Sequence, residues 1–524
     1  MFGRWVLLIM VLLLTNKMAV AGSSEQAGFD LLELRIKGNT LLERTELEKI
    51  VYPFLGPKKS IDSVEQARKT LENLYQKKGY KTVSVDIPEQ DVVKGVVYLQ
   101  VVEGKISRLR VKGSRYFSLG RIKKAIPALA EGQVPNFPEM QRQLTELSKQ
   151  TGDRKIIPIM RAGKTPGTLE VELKVKDELP LHGSVELTGR NSQDTSRLRL
   201  TTSLSYDNLW QKFHSASFMY QTSPEKPNEV EVFSGTYVMP VFDSDTRLAL
   251  YAVSSSSDSQ IAQAGDTNIL GKGQIYGARL VRALEGTESY MHSVTLGVDY
   301  KDFKEDVLFA NVNQRSAPIS YLPFSVQYRG SHRSENLFAS FDLGLTFSLR
   351  GVGNDAQEFS HKRDGAKANF FYLTAGSDLS YSLPWNMELM GRVSSQFADS
   401  GLISNEQFSM GGTASVRGYF ESQELADDGV MGSLELYSPR LVPDDWGFVN
   451  SFRALIFTDG AKGWIKHASE GQDRSVALYS AGFGLRLKMW RYLVGALDLA
   501  FPLIENGDIR SGESRLHFNV GLEF

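Results

Sequence analysis

From about Pro180 to Phe524 the chain alternates apolar and polar residues in short segments, and no helical period survives there. In a strand, successive side chains point to opposite faces, so such a segment carries one apolar and one polar face. The last segment is the cleanest. Leu516, Phe518, Val520, Leu522 and Phe524 share one face, and Arg515, His517, Asn519 and Glu523 share the other. The same holds for Arg197–Tyr206, Asn336–Ser348 and Tyr479–Lys488. A soluble sandwich also alternates. Here the polar faces carry Arg, Lys, Glu and Asp, aromatics gather near strand ends, and the chain stops on Phe524 inside a strand. Those features fit a barrel with an apolar exterior and a wet lumen. About 16 strands are expected, starting near His182, Arg197, Ser215, Val230, Thr246, Gly273, Ser289, Ser325, Asn336, Asn369, Met387, Val430, Val449, Ala477, Tyr492 and Arg515. An even number closes an antiparallel barrel with both ends on one side of a membrane, and a barrel of this size holds an aqueous channel unless plugged.

The residues before the barrel are of two kinds. Arg4, the apolar run Trp5–Leu14 and Ala19-Val20-Ala21 read as a secretory signal over 1–21, cleaved after Ala21. Asn16 and Lys17 interrupt the run, which falls short of the roughly 20 apolar residues of a spanning helix. Residues 29–178 read as a tandem repeat. Leu34-Arg35-Ile36-Lys37-Gly38-Asn39 recurs as Leu109-Arg110-Val111-Lys112-Gly113-Ser114. Val64, Ala67, Leu71, Leu74 and Tyr75 form a helical stripe in the first copy, and Met140, Leu144 and Leu147 do so in the second. Each copy reads β-α-α-β-β, with boundaries at 29–104 and 105–178. Such a unit buries one core and leaves open sheet edges.

Charge and cysteine content narrow the function. Lys plus Arg is 60 and Asp plus Glu is 61, so the basic excess of a general nucleic-acid binder is absent. There is no Cys, hence no disulfide, thiolate metal site or cysteine nucleophile. Gly163-Lys164-Thr165 lacks the upstream Gly of a phosphate loop, because position 158 is Pro. Gly351-Val352-Gly353-Asn354-Asp355-Ala356 imitates a dinucleotide fingerprint, but no helical pattern is read after it. No G-x-S-x-G surrounds a Ser and the His residues are scattered, so no catalytic constellation, metal site or cofactor is expected.

One long loop, about 399–428, breaks the strand pattern. It carries Gly411-Gly412-Thr413-Ala414-Ser415-Val416-Arg417-Gly418-Tyr419, a Gly-rich tract around a single Arg and Tyr. In Ser451–Asp459, parity puts Arg453, Phe457 and Asp459 on the lumen face. A carboxylate there needs a partner, for which Arg417 is a candidate.

At this point the chain resembles the outer-membrane transporters of two-partner secretion, the TpsB family of haemolysin and adhesin exporters. The repeats resemble POTRA domains. Gly79-Tyr80, Ile87-Pro88-Glu89-Gln90 and Val101-Val102-Glu103-Gly104-Lys105-Ile106 look like the family's "GY…IPxQ…VxEGxI" stretch. Tyr206–Trp210 resembles its first hairpin. Val416, Arg417, Gly418 and Tyr419 match the "VRGY" lid-lock signature; Phe457 and Asp459, with Gly460 after them, match the start of "FxDxG". Two departures stand out: Ala461 replaces the last Gly, and the short stretch between Ala21 and Phe29 leaves no room for a plug helix.

The resemblance implies a mainly β protein of a Gram-negative outer membrane: a 16-stranded transmembrane barrel over 180–524 behind two periplasmic POTRA domains. It implies no enzyme. Arg417 would pair with Asp459 on the barrel wall, and Phe524 would be the barrel's C-terminal signal. The implied partners are an unfolded, TpsA-like and β-helical secreted exoprotein, outer-membrane lipid, and the barrel assembly machinery for insertion. The alternative reading is an assembly factor of the BamA or TamA type, which shares POTRA domains and the Arg-Gly loop.

Overall fold

The computed structural model describes residues 28–524 except 194, 244, 257–271, 305, 310–312, 317, 444–445 and 469–470, with backbone alone for 306–309 and 313–316. The signal over 1–21 lies outside the described residues. The chain divides into two compact units, Met1–Glu178 and Leu179–Phe524.

The first unit holds two copies of one plan. In the first copy Val96–Glu103 is the central strand, parallel to Glu33–Lys37 and antiparallel to Val83–Asp86. In the second, Thr168–Asp177 is central, parallel to Lys105–Lys112 and antiparallel to Arg154–Ala162. Helices Arg44–Val51 and Ile61–Lys77 serve the first sheet, and Leu119–Lys124 and Phe137–Lys149 the second. The stripe of Val64, Ala67, Leu71 and Tyr75 is buried against Val85, Val97, Leu99 and Val101. Burying such side chains stabilises by about 1.5–3 kcal/mol each.

The repeated glycines have one physical reason. Gly38 and Gly113 have φ of 85° and 90°. A Cβ would stand 2.3 Å from the carbonyl oxygen of Val101 in one case and of Val175 in the other. The loop each glycine opens is then tied down by a carboxylate on the central strand. Glu103 accepts from the backbone N–H of Thr40 at 2.6 Å and of Leu41 at 3.1 Å. Asp177 accepts from Arg115 N–H at 2.8 Å, Tyr116 N–H at 2.9 Å and the Ser114 hydroxyl at 2.9 Å. Burial works against the Asp177 charge, but these donors outweigh it and hold its carboxyl below the usual range. Gln90 of the "IPxQ" stretch acts as a substitute strand: its amide donates to Tyr98 O at 2.8 Å and accepts from Tyr98 N–H at 2.7 Å.

The second unit is a closed antiparallel barrel. Ile319–Tyr321 and Pro323–Arg333 both pair with Tyr290–Phe303 and form one interrupted strand. Among the described residues the barrel therefore has sixteen strands, as expected. The alternation decides its two faces. Leu204, Phe218, Leu343, Ile456, Phe483 and Leu522 are exposed on the outer wall, an apolar area that a bilayer would cover. The seam pairs Arg515–Glu523 with Leu181–Thr188. It ends with Gly183 and Phe524 exchanging backbone hydrogen bonds of 3.0 and 2.9 Å. The Phe524 ring covers Gly183 so closely that a Cβ there would lie 2.3 Å from Cζ.

The dinucleotide-like glycine tract needs one correction. A helix, Ala356–Lys362, does follow it, started by Asp355, whose side chain accepts from Gln357 N–H. The expectation missed it because the helix has seven residues, too few to show a period. The flanking strands Leu337–Ser348 and Phe371–Ser382 pair antiparallel, so no βαβ unit exists there.

Candidate functional site

Counted in chain order from Leu181–Thr188, the barrel strands alternate in direction, so residues 399–427, between the eleventh strand Glu388–Ala398 and the twelfth Asp428–Tyr437, connect them at the end opposite Leu181, the far end. This loop folds back into the lumen. Its stem is a small hairpin of Phe408–Met410 with Glu424–Ala426. The wall beneath the stem is cut down to admit it: a Cβ on Gly429 would stand 2.1 Å from the Phe408 ring, and one on Gly463 2.4 Å from Met410 Cε.

The tip puts Arg417 against the wall. Its Nε donates to Asp459 Oδ2 at 2.7 Å and its Nη2 to Oδ1 at 2.8 Å. Its backbone N–H donates to the same carboxylate at 3.1 Å. Nη1 lies 2.7 Å from Glu435 and 3.7 Å from Asp498, and the guanidinium stacks 3.4 Å from the Phe457 ring centre. Both Arg417 and Asp459 are buried. The forked guanidinium fits this task because it meets a carboxylate with two parallel bonds. Arg486, bonded to Asp498 at 2.7 and 3.0 Å, brings a second cation to the carboxylates.

The rest of the motif holds the tip in place. Val416 and Tyr419 are buried in an apolar cluster with Met410, Ala426, Ala461 and Leu478. The Tyr419 hydroxyl reaches the Ile504 carbonyl at 2.7 Å and that of Tyr479 at 3.0 Å. Gly418 has a φ of 96°, and its missing Cβ leaves space for Pro502, whose Cδ and Cγ would stand 3.1 Å away. Gly418 N–H donates to His517 Nε2 at 2.8 Å, so that nitrogen is unprotonated.

Arg417, Asp459 and Phe457 thus lie together. Gly460 does not join them. It points to the other face, where the Tyr479 ring leaves no space for a Cβ: Cδ1 would stand 2.8 Å away. Ala461 faces inward and packs on the loop, so the position that departs from the signature is a packing position. Sequence reasoning did not single out Glu435, Asp498, Ser433 or His517. The signal was present, because lumen parity of neighbouring strands selects them, but only the register brings them to Arg417. A cavity of about 960 Å³ at the near rim is lined by Glu388, Arg440 and Arg453, with Arg453 bonded to Glu388 at 2.6 Å.

Comparison with known proteins adds a family. Residues 167–487 match the model of the haemolysin secretion/activation protein ShlB/FhaC/HecB, and residues 29–104 match the ShlB-type POTRA domain. The outer membrane transporter CdiB of Dickeya dadantii is 23% identical over 95% of this chain and 87% of its own length. The heme/hemopexin transporter protein HuxB of Haemophilus influenzae is 21% identical over 91% of this chain and 84% of its own. Among solved structures, CdiB from Escherichia coli superposes with a TM-score of 0.62 at 20% identity, over 97% of this chain and 92% of that one. BamA from Haemophilus ducreyi gives 0.57 at 15% identity, over 95% of this chain and all of that one (100%), a likeness of fold alone.

Proposed function

The chain belongs to the haemolysin secretion/activation family ShlB/FhaC/HecB, and from that premise we propose that the loop bearing Arg417 is the gate of the transporter. The protein is an outer-membrane transporter of two-partner secretion, with periplasmic POTRA structure and a secreted protein as its partner. The BamA likeness reflects a related superfamily.

The observation that carries the gate is the buried bidentate pair of Arg417 and Asp459, set in the lumen an exported chain must cross. Residues 105–178 serve as the second POTRA domain. The exoprotein arrives unfolded and adds a strand to an open sheet edge; Glu33–Lys37, Val83–Asp86, Lys105–Lys112 and Arg154–Ala162 are the edges the two sheets present. Backbone hydrogen bonds give affinity there, and side chains give choice. The Arg417 loop leaves Asp459, the chain passes extended, and folding outside into a stacked β-helix hinders return. The polypeptide is moved rather than chemically altered. Phe524 closes the seam and is the segment through which the barrel assembly machinery would insert the protein into lipid.

The test is the protein content of medium and outer membrane with and without the gene, and with Arg417→Ala. Loss of one large secreted protein, with other barrels unchanged, is expected in the deletion. In the Arg417→Ala strain secretion should fall while the barrel stays in the membrane. Normal secretion by that strain refutes the gate, and a broad loss of outer-membrane barrels in the deletion refutes passenger-specific export.

A further inference from the structure

The Arg417 lock occupies one side of the lumen. A second buried assembly, formed with the neighbouring outer loop 349–370, occupies the other, and we propose that it is a second closure which must part before a chain can pass. Its positioning residues are Arg363, Glu406 and Asp427.

The assembly has an apolar and a charged layer. Helix Ala356–Lys362 packs Phe359 against the rings of Tyr321 and Phe370, at centre distances of 5.5 and 5.9 Å, and those two rings lie 6.3 Å from each other. These join Phe303 on the wall and Leu402 and Ile403 from the start of the Arg417 loop, all buried in one cluster. So the two loops share a core inside the barrel mouth. Above it, Asp427 ends the Arg417 loop with a fully buried side chain. Its Oδ1 accepts from Arg363 Nη1 at 2.5 Å and Leu402 N–H at 2.8 Å, and its Oδ2 from Arg363 Nη2 at 2.9 Å and Lys466 N–H at 2.7 Å. Three outer loops therefore meet on one carboxylate. At the other end of the Arg417 loop, Glu406 is buried and bonded to Lys301 at 2.5 Å, Tyr321 at 2.6 Å and Tyr372 at 2.8 Å.

Both carboxylates are far from solvent and have their lone pairs engaged. Neither can leave its donors without stranding a charge, which makes the arrangement two-state rather than gradually yielding. Freeing Arg417 alone would release the tip of its loop and leave the mouth obstructed by the shared core. Loop 349–370 thus closes the barrel from the far end, whatever precedes the first POTRA domain.

The two loops touch through a parallel bridge between Ala366 and Gly401. A Cβ on Gly401 meets nothing closer than 3.7 Å, and the chain has no Cys of its own. The test is the full-length Ala366→Cys/Gly401→Cys variant in cells, oxidised and then reduced, with each single-Cys variant as control. The proposal expects the pair to cross-link, export to fall at least tenfold when oxidised, and export to return on reduction. Undiminished export with the bond formed overturns it, since the mouth then never needs to part there. Failure of the pair to cross-link in a barrel that migrates as folded overturns it too. The inference rests on the transport function but not on the Arg417 gate. Normal export by Arg417→Ala beside a reversible block by the disulfide would reject the first lock and keep the second.

Discussion

Arg417→Ala is the perturbation with the largest expected effect. The substitution strands Asp459, whose side chain is fully buried. The Ser433 hydroxyl at 2.7 Å and the backbone N–H of position 417 at 3.1 Å would be left to it, neutral donors in place of the guanidinium. Removing one partner of a buried ion pair costs about 3–5 kcal/mol. At about 1.4 kcal/mol per decade, the closed-to-open ratio of the loop should fall by roughly two to three and a half orders of magnitude. Water reaching the vacated site would bring the value toward the lower figure. Asp459→Asn should cost less. Arg417 keeps Glu435 at 2.7 Å and Asp498 at 3.7 Å, so the loss is about 1.5–3 kcal/mol for the charge-assisted bonds. Single-channel recording of the purified protein in planar bilayers reads the ratio directly as closed and open dwell times. The expected order of closed fraction is wild type, then Asp459→Asn, then Arg417→Ala. Equal dwell times in wild type and Arg417→Ala, or a more severe Asp459→Asn, would refute the reasoning.

Gly418→Ala should misplace the same loop tip without touching a charge. The positive φ and the contact with Pro502 cost about 1–3 kcal/mol, and limited proteolysis within 411–423 should speed up accordingly. Asp177 governs a pH response in the first unit. Its depressed carboxyl contributes stability above the unfolded aspartate value of about 3.9, and that contribution disappears as pH falls through the folded value. Protection of the Arg115 and Tyr116 amides against exchange, relative to the intrinsic rate at each pH, should therefore fall on acidification in the full-length protein; Asp177→Asn should show low protection at neutral pH and little further change. Gly183→Val sets a side chain into the Phe524 ring and should weaken the seam, seen as a lower temperature for loss of the compact barrel in heat-modified electrophoresis.

What could be read from the chain depended on whether the signal was local. Period 2 is a property of single strands, so the strands, their faces and the lumen position of Asp459 were legible from residues 180–524. The tandem motif was legible because Gly38 and Gly113 answer the same local need, a positive φ beneath a carbonyl. Helix Ala356–Lys362 was not legible, since seven residues are held by Phe359 and its neighbours rather than by a period.

The sequence by itself pointed to a barrel, a tandem β-α-α-β-β repeat ahead of it, a lumen-facing Asp459 and Arg417 as its candidate partner. Only the tertiary structure decided who else stands at that pair. Glu435, Asp498 and His517 reach the Arg417 tip through the register of five neighbouring strands. Arg363 and Asp427, 64 positions apart, meet because two outer loops share one apolar core. Alternation says which way a side chain points but not what lies opposite. Closing the strands into a ring supplies that information, by bringing side chains distant in sequence to within hydrogen-bond reach across a shared interior.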